Sequence, residues 1–315
     1  MIYKPGSLLK TLILICLIFL PVTFVTAEEN KCTSNENYTQ VADGIFVRQG
    51  RDGITFEDSN VANIGFILGQ NCVAVIDTGG SKAEGEALKC AIRQITDLPV
   101  CYVINTHFHP DHIMGNIAFR DSGATFIGHQ NLPQAIGLAA ATYSGRATVY
   151  EARKVSPDEL KIPFVTVTTT LSIDIGKRLL EITAHDIAHT NNDLSLYDPA
   201  SQTLWLSDLL FTSHTPVLAG SLNGWLETVE TLRLKHAERV IPGHGPVSAV
   251  WPEAANTQID YLTTLKKQVK TAIDEGVSLL AAQERLMNDN PWHWTLYEEL
   301  RKRNIINAYA ELEWE

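Results

Sequence analysis

The sequence predicts a mixed α/β (α+β) fold in which two β-rich halves face each other and helices lie outside. In each half, short segments rich in Val, Ile and Phe precede a helical pattern. No stretch rich in Pro, Gly or Ser separates the two halves. Because a sheet packs one face on its partner sheet and covers the other with helices, we expect a single four-layer αββα sandwich.

The first half is predicted to begin with three strands, which are followed by a helix, a fourth strand and two more helices. Gly-containing turns separate the first three strands, which span residues 38–47, 62–68 and 72–76, and the fourth strand spans residues 99–104. Ser81, with Glu84 three residues later, is typical of a capping box and predicts a helix from Ser81 to about Ile95. Two further helical patterns cover residues 113–120 and 131–152.

The second half repeats this order. Its predicted strands span residues 165–170, 178–183, 194–197, 203–206 and 239–241, with a helix at 222–236 before the last strand. Residues 253–315 are helical in pattern, with a break near 289–291. No linker precedes this segment, so we expect it to pack on the same domain, which then spans residues 28–315.

The first 27 residues are typical of a secretory signal peptide. Lys4 and Lys10 form a positive start, an apolar run follows, and small residues end at Ala27. The run from Leu12 to Val25 is shorter than the ~20 apolar residues of a membrane span, and Pro21 interrupts it. The pattern therefore favours a cleaved signal peptide over a membrane anchor and predicts a periplasmic protein.

Composition and net charge indicate a globular protein and argue against a nucleic-acid binder. The chain is 45% hydrophobic and 19% charged, which is ordinary for a globular domain. Its formal net charge of −11 argues against a nucleic-acid binder, which needs cations facing phosphates.

Four cysteines lie outside the signal peptide, and their state is left open. In an exported protein they can form disulfides in three pairings, one of which joins Cys90 to Cys101, or they can remain buried thiols. The four are Cys32, Cys72, Cys90 and Cys101.

The segment Thr106–His112 (THFHPDH) indicates a metal site. It places His107, His109, Asp111 and His112 directly after a predicted strand. Imidazole and carboxylate are ligands of zinc and similar divalent ions. Packing three imidazoles into one turn without a partner is costly, so a purely structural role does not explain the cluster.

Three more candidate ligands follow predicted strands elsewhere in the chain. His189 lies in the sequence AHT, Asp208 in SD, and His244 in PGHG. Loops at strand ends are where sheet scaffolds carry functional residues, so these side chains are candidates to complete the site.

The ordered motifs HxHxDH, AHT, SD and PGHG resemble those of the metallo-β-lactamase superfamily of zinc hydrolases, which has an αββα sandwich fold. The resemblance implies that one metal is held by three histidines and a second metal by a mixed set, with Asp208 bridging both metals and Asp77 supporting the site from behind. The first set is His107, His109 and His189, and the second is Asp111, His112 and His244.

The resemblance also implies a mechanism. Two zinc ions lower the pKa of a shared water, so that a bridging hydroxide attacks a small ester, thioester or lactam-like substrate. Asp111 is the predicted catalytic residue, because it both holds the second metal and orients the hydroxide. Asp208 separates this chain from true β-lactamases, which typically lack a bridging aspartate there, and makes it more similar to thioesterases of the glyoxalase II type.

A finer resemblance concerns the exported quinoprotein relay system zinc metallohydrolases. It is carried by residues 63–67, 75–80, 105–112, 219–225 and 307–311. That family is associated with periplasmic quinoprotein dehydrogenases, which makes such a system an expected partner. Two alternatives stay open: an iron-dependent sulfur dioxygenase with one metal, and a non-catalytic accessory protein that binds a metal or a quinone cofactor.

Other residues are ambiguous at this point. His185 and His214 can face the substrate cleft or lie at the surface. Trp292, Trp294 and Tyr297 are more often a helix-packing cluster than a wall of the cleft.

Overall fold

The computed structural model describes residues 1–2, 32, 36–51, 60–150, 154–287 and 290–315. Contacts divide the chain into two compact units, Met1–Lys31 and Cys32–Glu315, and everything below concerns the second. Apart from Met1 and Ile2, the predicted signal peptide at 1–27 lies outside the described residues. In the part of the chain that is described, no helix has both the length and the apolar character needed to cross a bilayer.

The first sheet contains seven strands in sequence order. Neighbours run antiparallel from β1 to β4 and parallel from β4 to β7, because helical segments cross over between the later strands. The strands are β1 (Thr39–Ala42), β2 (Ile45–Arg48), β3 (Ile64–Leu68), β4 (Val73–Ile76), β5 (Val100–Ile104), β6 (Thr125–His129) and β7 (Phe164–Val167).

The second sheet contains six strands in the order β13-β12-β11-β10-β9-β8. All neighbours are antiparallel except β11 and β12, which a helix connects in parallel. The strands are β8 (Thr170–Asp174), β9 (Leu179–Ala184), β10 (Leu194–Asp198), β11 (Thr203–Phe211), β12 (Arg239–His244) and β13 (Ala249–Val250).

The helices flank the two sheets. Ser81 caps the first of them, since its hydroxyl accepts a hydrogen bond from the Glu84 amide, as the capping pattern predicts. The helices are α1 (Lys82–Ile95), α2 (Pro110–Ile113), α3 (Asn116–Phe119), α4 (Leu132–Tyr150), α5 (Leu222–Leu232), α6 (Asn256–Asp274), α7 (Leu279–Arg285) and α8 (Tyr297–Leu312).

The four-layer αββα prediction is confirmed, because clusters of buried side chains lie between the two sheets and between each sheet and its helices. Between the sheets, Ile76 and Ile104 of the first sheet pack in one cluster with Trp205 of the second. The outer face of the first sheet is covered by α1 and α3, and that of the second sheet by α5, α6 and α8. The long strand β11 is buried along its whole length, which places its side chains at the centre of the molecule.

Several element boundaries differ from the predictions for local reasons. The predicted strand 38–47 is a hairpin, because Gly44 takes a positive φ of 65° between β1 and β2. The predicted helix 113–120 is two short helices, and Gly115 between them packs so close to Thr78 that a Cβ there would lie 2.0 Å from the Thr78 carbonyl oxygen. Strand β6 was not predicted, and the predicted strand 165–170 is divided between β7 and β8.

The last helix, α8, is fixed to the body by polar contacts, among them those of Glu311 and Asn304. The Glu311 carboxylate accepts hydrogen bonds from the Ser221 hydroxyl and from the amides of Leu222 and Asn223, at the N-terminus of α5. The buried Asn304 amide donates to the Pro216 carbonyl, and its oxygen accepts from the Leu218 amide. These bonds give α8 one position against the second sheet.

Two disulfides join Cys32 to Cys90 and Cys72 to Cys101. The candidate pairing of Cys90 with Cys101 is therefore wrong. Cys101 points into the layer between the sheets, where Cys72 lies at the start of the neighbouring strand β4. Cys90 lies on α1, on the opposite face of the first sheet, and its sulfur cannot reach that layer.

Candidate metal centre

Strand β5 delivers the histidine-rich turn to the edge of the sandwich. The strand ends at Ile104, and Pro110 then starts α2, which places Asp111 and His112 in its first turn. The ligand candidates of the second sheet come from the loop after β9, from within β11 and from the end of β12. The structure brings together all seven side chains that the sequence predicts as metal ligands.

The first group consists of His107, His109, His189 and Asp208. Nδ1 of His109 lies 3.1 Å from Nε2 of His107 and 3.1 Å from Nε2 of His189. Oδ2 of Asp208 is 3.5 Å from Nε2 of His107 and 3.4 Å from Nε2 of His189. Four donor atoms thus surround one point.

The second group consists of Asp111, His112 and His244. Oδ2 of Asp111 lies 3.5 Å from Nε2 of His112 and 3.4 Å from Nε2 of His244. The other oxygen of Asp208, Oδ1, is 3.2 Å from Nε2 of His112 and 3.3 Å from Nε2 of His244. Asp208 therefore presents one carboxylate oxygen to each group.

The residues present fit two divalent cations. Nε2 of His112 and Oδ1 of Asp208 are buried and have no hydrogen-bond partner within the described residues. Buried polar atoms of this kind are costly unless something satisfies them, and a cation between the two does so. Imidazole nitrogens with carboxylate oxygens are a donor set suited to zinc and related ions.

Hydrogen bonds behind the ligands orient three of the imidazole rings. Nδ1 of His112 donates to Asp77, Nδ1 of His189 donates to the Val217 carbonyl at 2.7 Å, and Nδ1 of His244 donates to the Val61 carbonyl at 3.0 Å. In each ring the donation leaves Nε2 facing the centre as the ligating atom.

Asp77 accepts several of the hydrogen bonds that support the ligands. It follows β4, is fully buried, and accepts hydrogen bonds from the amide and the hydroxyl of Thr106 at 2.8 Å each. Both Asp77 (φ 55°) and Ser207 (φ 49°), next to Asp208, adopt the left-handed backbone region that non-glycine residues rarely enter. Strained backbone conformations of this kind are common at functional sites, where contacts with the surrounding structure stabilise them.

Burial sets the charge states of the first group. It lowers the pKa of His107 well below its ordinary value, with His112 adding to the effect, and it lowers the pKa of His109 to about 4 and that of His189 to about 3. These rings are neutral near pH 7, which is the form that binds a cation.

In the second group, nearby carboxylates outweigh the effect of burial on the histidine pKa values. Burial alone lowers the pKa of His112, but Asp208 and Asp111 outweigh it and raise that pKa well above its ordinary value. The pKa of the Asp208 carboxyl is held low, because His244 and His112 overcome the effect of burial. A divalent ion competes with the proton on these rings, so metal binding here releases protons.

A cavity of about 350 Å³ opens beside the centre and is bounded in part by Asp111, Asp208, His109 and His244. Its remaining walls are mainly apolar and aromatic. They consist of Val61, Phe108, Pro110, Tyr143, Arg146, His214, Val217, Leu296, Leu300 and Arg303.

The structure decides between the alternatives for the ambiguous residues. His214 lines the cavity, with Nδ1 donating to the Thr215 carbonyl and its ring centre 4.6 Å from that of His244. His185 lies in a different cleft, hydrogen-bonded to Ser195. The tryptophans Trp292 and Trp294 pack on Tyr261 in the helical layer.

Sequence reasoning missed the side chains that α4 and α8 contribute to the cavity. Tyr143 and Arg146 are three residues apart on α4, as are Leu300 and Arg303 on α8, so each pair shares one helix face. The spacing was visible in the sequence, but nothing in it showed that these two faces meet over one cavity.

Comparison with known proteins identifies relatives of the same kind. A family model described as the metallo-β-lactamase superfamily matches residues 59–244. A β-lactamase-like protein 2 homologue from Caenorhabditis elegans is 21% identical over 232 residues, which are 72% of this chain and 71% of that protein. A linear primary-alkylsulfatase from a Pseudomonas strain is 42% identical over a short segment of 45 residues, 14% of this chain and 8% of that enzyme.

Two solved structures share the fold. A metallo-β-lactamase from Pontibacter korlensis superposes with a TM-score of 0.58 at 19% identity, covering 72% of this chain and 99% of that one. The enzyme TMB-1 superposes with a TM-score of 0.57 at 17% identity, covering 73% of this chain and 97% of that one.

Proposed function

The chain belongs to the metallo-β-lactamase superfamily, and from this premise we propose that it is an exported dinuclear zinc hydrolase of small ester, thioester or lactam-like compounds. The superfamily and the His/Asp cluster identify a metal-dependent hydrolase. The observation that carries the finer proposal is the position of Asp208, with one oxygen within 3.5 Å of two histidines of the first group and the other within 3.3 Å of two histidines of the second.

Each group of side chains is suited to hold one ion. His107, His109 and His189 form an all-imidazole site, and Asp111, His112 and His244 form a mixed one. When bound there, two zinc ions lower the pKa of a water toward neutrality and polarise the bond to be cleaved.

The chain's own side chains position the reactants. The pKa of Asp111 is held below its ordinary value because His112 and His244 overcome its burial, so it is ionised at neutral pH. It lines the cavity, where it can accept a hydrogen bond from the attacking water and orient it. Phe108, Val217 and Leu300 contribute apolar walls, which suit the carbon skeleton of a small substrate.

The size of the cavity supports a small substrate, since about 350 Å³ is at the lower end of ordinary ligand sites. The two disulfides support export, because such bonds persist in oxidising compartments such as the periplasm. Association with a quinoprotein dehydrogenase system remains a prediction from the sequence resemblance.

Metal analysis of the purified protein tests the proposal most directly. We expect about two zinc ions per chain and hydrolysis of at least one member of a panel of esters, thioesters and lactams. A single iron and no zinc would instead favour the sulfur dioxygenase. Two zinc ions without turnover of any panel member would favour the non-catalytic accessory protein.

A further inference from the structure

Two arginines from separate helices border the cavity beside the metal centre. Arg146 lies on α4, and Arg303 lies on α8. Of the Asp, Glu, Lys and Arg residues described as lining this cavity, the other two are Asp111 and Asp208, both in the metal centre. Cations held by the centre would offset those two carboxylates, which leaves the arginines as the strongly basic side chains among the described lining residues.

Each arginine has an apolar or aromatic neighbour on the same helix face that also lines the cavity. On α4 the neighbour on the same face is Tyr143, whose ring stacks on Phe108 with centroids 6.4 Å apart. On α8 the neighbour is Leu300, which is fully buried. Apolar walls of this kind suit the carbon skeleton of a bound molecule, and the two guanidinium groups provide polar contacts at its edge.

The guanidinium groups of Arg146 and Arg303 both influence the pKa of the Tyr143 phenol. Burial raises the pKa of Tyr143, and Asp111 adds to the rise, while Arg146 and Arg303 oppose it. Tyr143 and both arginines line the same cavity, so two positive groups from different helices border one space. Arg303 itself is exposed and has no hydrogen-bond or ion-pair partner among the described residues.

The other basic residues of α8 do not share this position. Arg301 is buried and hydrogen-bonded to Gln268, and its guanidinium lies over the Tyr261 ring. Lys302 is exposed and does not line the cavity. Of the three consecutive basic residues Arg301, Lys302 and Arg303, only Arg303 lines the cavity.

We infer that Arg146 and Arg303 bind an anionic group, such as a carboxylate, on a small apolar substrate whose scissile bond lies at the metal centre. This inference rests on the proposed hydrolase function and specifies its substrate class. Arginine forms paired hydrogen bonds with carboxylates, so it selects for this group as well as attracting it.

Matched esters test the inference in the zinc-loaded protein. Phenyl hexanoate is neutral, the monophenyl ester of adipic acid carries a carboxylate on the acyl side, and 3-carboxyphenyl hexanoate carries one on the alcohol side. We expect the Arg303→Ala and Arg146→Ala variants to raise KM about tenfold for at least one anionic ester, with kcat and the kinetics of phenyl hexanoate little changed. Lys302→Ala is the matched control and should change neither.

Direct binding separates this inference from the hydrolase proposal. The monoanilide of adipic acid resists hydrolysis, and calorimetry should show that Arg303→Ala and Arg146→Ala weaken its binding about tenfold while hexananilide is unaffected. Binding of this kind without turnover of any ester would overturn the hydrolase proposal and leave the anion site standing. Hydrolysis of all three esters with the same relative KM in every variant, or no arginine-dependent binding of the monoanilide, would overturn the anion site.

Discussion

Nδ1 of His112 donates a hydrogen bond to Oδ2 of Asp77 across 2.8 Å, and both side chains are completely buried. The same carboxylate accepts from the amide and hydroxyl of Thr106, the residue before His107. Asp77 therefore fixes the ring of one ligand and the backbone next to another.

Replacing Asp77 with Asn should weaken metal binding without removing a ligand. The amide keeps the size of the carboxylate but loses its charge and one acceptor, and loss of such supporting partners typically lowers metal affinity by about 10–100-fold. Competition with a chromophoric chelator measures the change. Asp97→Asn, at an exposed position after α1, serves as the control, and equal affinities in the two variants would contradict the role of Asp77.

Replacing Asp208 with Ala should reduce the metal content from about two ions to one or fewer. The carboxylate is the contact shared by both groups, so its removal should lower kcat/KM by more than the about 100-fold expected for a supporting residue. Elemental analysis and ester hydrolysis give the two readouts. The surface variant Asp274→Ala should retain wild-type values, and retention of both ions by Asp208→Ala would rule out the bridging arrangement.

Replacing Glu311 with Gln should destabilise the protein by about 1–2 kcal/mol, because the charged acceptor at the N-terminus of α5 is lost. Urea unfolding measures this loss. Glu313 lies two residues further along the chain at an exposed position, so the control variant Glu313→Gln should have little effect on stability. A similar change in both variants would show that the contact with α5 is not the cause.

Peptide mapping without reduction should recover the pairs Cys32–Cys90 and Cys72–Cys101. Replacing both members of either pair with Ser should lower the free energy of unfolding by about 2–4 kcal/mol, since each bond closes a long loop in the unfolded chain. Denaturant unfolding of the oxidised proteins gives the value. Recovery of a Cys90–Cys101 peptide would contradict the fold of this region.

Stability should depend on pH through His185. Burial lowers its pKa to about 4, with His129 adding to the shift, whereas the unfolded chain has the ordinary value of 6.5. Between these values the unfolded state binds a proton that the folded state does not, so this residue makes stability fall as pH falls from 6.5 to 4.

The His185→Gln variant should lose this part of the pH dependence, since Gln can still hydrogen-bond to Ser195 but does not titrate. Urea unfolding of variant and wild type across the same pH range gives the difference, in which contributions from the metal ligands cancel. His236→Gln, at the surface, is the control. Parallel pH profiles for wild type and His185→Gln would disprove the assignment.

The ligand positions were predictable because each follows a strong local signal. His107 and His109 come directly after an apolar strand, and His189 and His244 lie close after or at the end of others. Asp208 differs, since β11 continues past it to Phe211, and a left-handed Ser207 turns the strand at that point. Periodicity shows where a strand begins, but this backbone irregularity depends on tertiary contacts.

The cavity walls were not predictable for a different reason. Arg146 and Arg303 are far apart in the sequence, and only the docking of α4 and α8 brings them to one cavity. The missed strand β6 is short and lies between helices, so its local signal was weak.

The ligands of the metal centre come from both sheets, with the turn after β5 on one side and β11 and β12 on the other. Any ion that they share therefore crosslinks the two halves of the sandwich, and it does so only while the chain is folded. Ligands that bind the folded state alone stabilise it in proportion to the logarithm of their concentration. Resistance of this protein to proteolysis should accordingly rise with the free concentration of the metal that it binds, so that metal starvation would shorten its lifetime and also reduce its activity.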